Sequence, residues 1–185
     1  MRPLVTMFVA GVALISGCSG GGLSVEEYAP LVEDRAATYA DEITALADRN
    51  ISDLDVAVVR LQRDFEGEAL VEAAIDETAR LASMLFAGIG DALDRYVRDL
   101  DALDAPSDLQ TEHRAHIVAL KASRSGIAQL LSNLTAATTF DDVDHAIAGS
   151  GFSDAQPRVV AACNTLQRAI AEEGSVVHLR CESIG

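Results

Sequence analysis

The sequence predicts an all-α protein, an elongated antiparallel bundle of three to five helices with a short extended C-terminal tail. Apolar residues recur at steps of three and four along nearly the whole chain, the spacing that puts them on one face of a helix. Glycine, proline and capping residues punctuate those runs at short intervals, so consecutive helices turn back on each other. Apolar content of 49% in 185 residues suffices for one hydrophobic core and argues against disorder.

The N-terminus has a different grammar. Arg2 is followed by an apolar run from Leu4 to Ile15 and by the small residues Ser16 and Gly17, the order of a signal peptide over residues 1–17. A helix needs about 20 apolar residues to cross a bilayer, so this run is too short for a permanent span. Ile15-Ser16-Gly17-Cys18 resembles the lipobox of bacterial lipoproteins. The resemblance implies a diacylglyceryl group on the Cys18 sulfur, cleavage after Gly17, and a palmitate-type acyl chain on the new amino terminus. Each buried CH₂ contributes ~0.8 kcal/mol, so two or more chains anchor stably where one does not. Ser19 to Gly22 reads as a tether, residues 18–24 forming the lipidated start and 25–185 a single ectodomain. The expected location is the extracytoplasmic face of the cytoplasmic membrane. Ser19 in place of a retaining aspartate is compatible with an outer membrane.

The first helix runs from about residue 25 to 49, with Val32, Ala36, Tyr39, Ile43 and Leu46 on one face. Ser24 and Glu27 form a capping-box pattern, and Leu23 and Tyr28 a hydrophobic staple. Pro30 bends the first turns or marks a later start. Ser52-Asp53-Leu54-Asp55, flanked by Ile51 and Val56, predicts a restart carrying Leu54, Val58, Leu61 and Phe65 on one stripe; one merged helix is the alternative.

After Gly67 the longest pattern runs through Leu70, Leu81, Leu85, Tyr96 and Leu103, and Ala105-Pro106 ends it. Gly88-Ile89-Gly90 inside it reads as close helix packing. Ser107 and Gln110 are expected to cap a third helix reaching about residue 137. A short helix over 140–148 stops at Gly149. Ser153 opens the last helix, Gly174 closes it, and Val176, Val177, Leu179 and Cys181 form the extended tail.

Cys163 and Cys181 are an even pair in an exported chain, expected to form a disulfide rather than redox or metal thiols, since no C-x-x-C spacing occurs. The helix carries the chain away from Cys163 and the tail can cover the way back. Closing that loop contributes ~3 kcal/mol if chain entropy dominates.

His113 and His116 lie one helical turn apart, suited to one metal ion with Glu112 beside them, or to hydrogen bonds capping the bundle end. Asp142 and His145 repeat the i, i+3 spacing of bundle metal ligands, but also read as an ordinary acidic first turn. Asp99, Asp101 and Asp104 lack the glycine and closing glutamate of a calcium loop and read as a solvated face. No cofactor is expected beyond the covalent lipid.

Loss of residues 1–17 removes one arginine and no acid, leaving 13 basic against 29 acidic residues and a net charge of −16. Phosphate backbones are bound through Lys and Arg, so nucleic acid is excluded as a partner class, and anionic lipid headgroups repel this domain. No nucleophile elbow, phosphate loop or zinc-protease motif is present. The expected role is non-enzymatic: a binding or interaction module of the cell envelope with a basic protein or peptide partner. The alternatives are a metal or small-ligand carrier using His113 and His116, and a hydrolase with dispersed residues.

Overall fold

In the computed structural model, residues 22–184 are described. The expected signal peptide, the lipobox-like stretch Ile15–Cys18 and the expected tether through residue 21 lie outside the described residues. The chain forms α1 (Val25–Asp64), α2 (Gly67–Asp101), a 3₁₀ turn (Ser107–Leu109), α3 (Gln110–Leu134), α4 (Phe140–Ala148), α5 (Gly151–Glu172) and the single turn α6 (Cys181–Ile184). No strand occurs among the described residues. The all-α bundle is therefore the fold.

α1 starts as its sequence dictates. The Ser24 hydroxyl accepts from the Glu27 amide at 3.3 Å, and the Glu27 carboxylate accepts from the Ser24 amide at 3.0 Å, a complete capping box. Pro30 is accommodated on the exposed side. The expected restart at Ser52 does not occur, and α1 continues for 40 residues. Ile51 and Val56 are both exposed and form no staple. Pairing with α2 overrides the local cap signal: the Asn50 amide donates to the Leu81 carbonyl at 3.0 Å, and Ala57 and Leu61 pack inward beyond it.

α2 turns back at Gly67, whose φ of +61° favours glycine. It ends at Asp101, ahead of the predicted stop, and the Leu23 amide donates to the Asp104 carbonyl at 2.9 Å, tying the N-terminus to this corner. The Ser107 hydroxyl donates to Asp108 and caps nothing; a 3₁₀ turn leads into α3 instead, which ends at Leu134. α4 occupies its predicted span. α5 begins at Gly151, earlier than Ser153, whose hydroxyl reaches back to the Ile147 carbonyl. Gly174, at φ +91°, closes it.

The tail is shorter in extended form than expected. Residues 175–180 run irregularly with Val177 and Leu179 buried and Val176 exposed, and Cys181 then opens the α6 turn. Three contacts pin it: the Leu179 amide to Gln167 at 2.8 Å, the His178 amide to Glu33 at 3.0 Å, and Arg180 to Asp41 at 2.7 Å. Cys163 and Cys181 form a disulfide with a Cα–Cα separation of 5.5 Å, joining α5 to α6.

α1 and α2 make one antiparallel hairpin; α3 and α5 pair into a covering layer, α3 lying along α2 and α5 reaching α1 through the shared core and the α6 turn. The main core lies where all four overlap, centred on Tyr28, Leu93, Leu100, Leu120, Leu166 and Ile170. A smaller cluster joins Leu130 and Leu134 to Val143 and Ala146 under α4. α3 and α5 cross at Gly126, where a Cβ would sit 2.0 Å from the Phe152 backbone nitrogen. Gly88 faces the Leu46 side chain, while a Cβ at Gly90 would stand 3.4 Å from its nearest neighbours.

These two environments predict opposite outcomes. Gly126→Ala must push α5 away and lowers stability by about 1–3 kcal/mol or more. Gly90→Ala has room and removes a helix-interior glycine, raising stability by up to about 1 kcal/mol. Thermal melts of the two variants check this; a Gly126→Ala melt equal to wild type contradicts the close crossing.

Candidate functional site

Parallel placement of α1 and α3 brings their first turns to the same level of the bundle. Tyr28 and His113 meet there, with the tyrosine hydroxyl 2.7 Å from His113 Nδ1. One turn deeper, the Tyr96 hydroxyl lies 3.3 Å from His116 Nε2, and Tyr39 stacks on Tyr96 with ring centroids 4.9 Å apart. All three tyrosines of the chain and two of its four histidines thus form one aromatic, polar cluster spanning α1, α2 and α3.

The cluster is closed to solvent. His116 is fully buried and its Nδ1 has no hydrogen-bond partner. Burial, with the nearby His113 as a second cause, pushes the His116 pKa down to about 4. His113 is also lowered, by burial first, with Asp101 and the Leu100 carbonyl opposing. Burial pushes all three phenols above their ordinary value. At neutral pH every member is uncharged. Each histidine has one ring nitrogen within hydrogen-bond reach of a tyrosine hydroxyl, and both rings are buried. Glu112 sits on α3 beside them without joining the cluster.

Beside the tyrosine stack is a crevice of about 70 Å³ lined by Arg35, Thr38, Glu42, Arg95 and Asp99. Arg95 bridges to Glu42 across the α1–α2 seam at 2.9 Å.

Asp142 and His145 serve α4 itself. The Asp142 carboxylate accepts from the Thr138 and Thr139 amides, both at 2.9 Å, while the Thr139 hydroxyl accepts from the Asp142 amide at 3.0 Å. These bonds hold its pKa below the usual carboxylate value. His145 Nδ1 approaches the Asp141 carbonyl at 2.6 Å. Among the described residues, no three His, Cys, Asp or Glu side chains are grouped to hold a metal ion.

The unusual surface lies at the far end of the hairpin. One seam of α1 runs through Ala29, Val32, Ala36 and Ala40, all buried at 3% exposure or less. The same three- and four-residue spacing continues through Ile43, Ala47, Ile51, Leu54, Val58, Leu61 and Phe65. Along that continuation exposure rises to 61% at Ile51, 46% at Leu54, 43% at Val58 and 40% at Phe65, while Leu61 stays buried against α2. The change has a simple cause. The C-terminal end of α3, at Leu134, packs against Ala79 and Ala82 of α2, so about the first twelve residues of α2 and the α1 segment opposite them extend past the covering layer. On α2, Val71 is exposed and Ile75 half-buried in that stretch. No described helix crosses a membrane by length and apolarity, and this seam belongs to none that could.

No protein-family model, no curated protein and no solved structure matches this chain.

The histidine burial makes stability depend on pH. An unfolded histidine takes up a proton near pH 6.5, but folded His116 does so only near 4, so stability falls as pH drops through that window. Between pH 7 and pH 5 the loss from this group is about 2 kcal/mol. The shifted carboxylates Glu27, Asp64, Glu77 and Asp142 have lowered folded values, and their stability is lost only at more acid pH. Chemical denaturation at pH 7 and pH 5 should therefore show a smaller difference for His116→Gln than for wild type. Equal slopes would contradict a neutral buried His116.

Proposed function

We propose that this chain is a lipid-anchored interaction module of the bacterial cell envelope, holding an open helical hairpin away from its anchored end. The observation that carries this reading is the single α1 seam that is buried over 29–40 and, Leu61 apart, open over 51–65 at the same helical spacing. An apolar helical face left open in a long stretch is a feature of interaction sites, whereas scattered exposed apolar residues are not.

Chain geometry supports the orientation. Cys18, the lipidation position by resemblance to the lipobox, precedes α1 by seven residues, and Gly22 packs against Ala105 at the α2–α3 corner. The Phe65–Gly67 turn lies at the opposite end of α1, about 60 Å away at 1.5 Å per residue. A partner docking there meets the protein well clear of the membrane surface. The closed Tyr–His cluster beneath it supports a scaffolding role for that end rather than chemistry.

Two experiments test the parts separately. Labelled palmitate should enter the wild-type protein in cells and be absent from Cys18→Ala, which should also leave the membrane fraction; retention of label would overturn the anchor. A photo-crosslinking residue at Val58 or Val71 should give a discrete adduct in intact cells, and one at the more exposed Val118 on α3 should not. Absence of adducts at both hairpin positions, or the same adducts from all three, would overturn the docking face.

A further inference from the structure

We infer that the occupant of the open seam is a basic amphipathic helix, which lies along the hairpin beyond α3 and completes a three-helix bundle there. The inference rests on the interaction reading above and specifies its partner.

The seam itself selects a helix. Ile51, Leu54, Val58 and Phe65 stand open along a helix-pairing face, with Leu61 at the same spacing packed inward between them, and Val71 and Ile75 supply the second wall. The uncovered stretch is about twelve residues on each helix, roughly 18 Å or three turns. In the covered half, α3 packs along α2 of the same hairpin and meets α1 through Tyr28 and His113. A guest helix continues that packing.

The rim selects its charge. Between residues 52 and 78 there are eight acidic side chains and two arginines. Both arginines are already engaged, Arg60 with Glu77 at 2.7 Å and Arg63 with Asp64 at 2.6 Å. Asp53, Asp55, Glu66, Glu68, Glu72 and Asp76 have no ion-pair partner among the described residues. By helical spacing Asp55 borders Ile51 and Val58 on one side, and Glu68 and Glu72 border Val71 and Ile75 on the other. An apolar floor between two acidic rims is the complement of a helix with an apolar stripe flanked by Lys or Arg. A second copy of this chain fits poorly, because its own Asp55, Glu68 and Glu72 would meet the same acids.

The test uses the full lipidated chain in nanodiscs of zwitterionic lipid and a fluorescent 21-residue peptide with Leu at the a and d positions and Lys at e and g. Anisotropy should report saturable one-to-one binding. Leu54→Glu/Val58→Glu should weaken it by at least about tenfold although it adds negative charge, and Val118→Glu on α3 should leave it unchanged. Replacing Lys by Glu in the peptide should abolish binding. Both substituted positions are already solvent-exposed, so a melting curve can verify that the double variant folds. No saturable binding, or binding kept or tightened in the double glutamate variant, overturns the inference. Sedimentation of the wild type as a dimer that the double variant dissociates overturns it too, naming a second copy as the occupant and leaving the docking face in place. Loss of the face itself is read separately, from the absence of hairpin crosslinks in cells.

Discussion

A helix can bury its apolar stripe only as far as its neighbour reaches, and in this protein the neighbours stop short. α1 and α2 have 40 and 35 residues, α3 and α5 only 25 and 22. Where all four overlap, the stripes meet and a core forms. Past Leu134, among the described residues, the hairpin has only itself: Ala57, Leu61 and Leu81 face inward, Asn50 bonds to α2, and Arg60 reaches Glu77. Two buried helices thus become, over three turns, a half-finished bundle. The molecule's division into a closed base and an open end follows from this mismatch in length.

The closed base is over-determined by comparison. The α3–α5 crossing at Gly126 sets one spacing, the disulfide and the pinned tail hold α5 against α1, and the Tyr–His cluster links α1, α2 and α3. Burying two histidines costs stability when they charge, and His116 leaves one nitrogen unpaired. In return the hydroxyl contacts favour one register of α1, α2 and α3, since sliding any helix by a turn would strand buried polar groups. A rigid base of this kind suits the interaction role proposed above.

Much of the fold was legible from periodicity, because helix faces depend on spacing within one segment. The Ser24–Glu27 box, the α4 limits, Gly149 and Gly174 were readable for the same reason: caps are local. The failures were non-local. Ser52-Asp53 carries a good start signal, but pairing with α2 keeps α1 continuous through it. Ser107 looked like a cap, yet a 3₁₀ turn takes that corner. The histidines were visible at i and i+3, whereas their tyrosine partners lie 85 and 20 residues away and become neighbours only in the bundle. Asp142 was weighed as a ligand, although Thr139 three residues before it already spelled a capping box. The stripe through Leu54, Val58, Leu61 and Phe65 was also visible. That nothing covers most of it depends on where α3 ends, which the stripe itself does not encode.

The open seam is tested most directly by amide hydrogen exchange, followed peptide by peptide on the full chain. A covered helix exchanges through rare global opening, an uncovered one through local fraying. The account predicts that residues 53–64 and 67–78 exchange at least about tenfold faster than residues 28–40 of the same α1 helix and residues 92–100 of α2. Uniform protection along the whole of α1 would mean that the hairpin end is covered, and would contradict it.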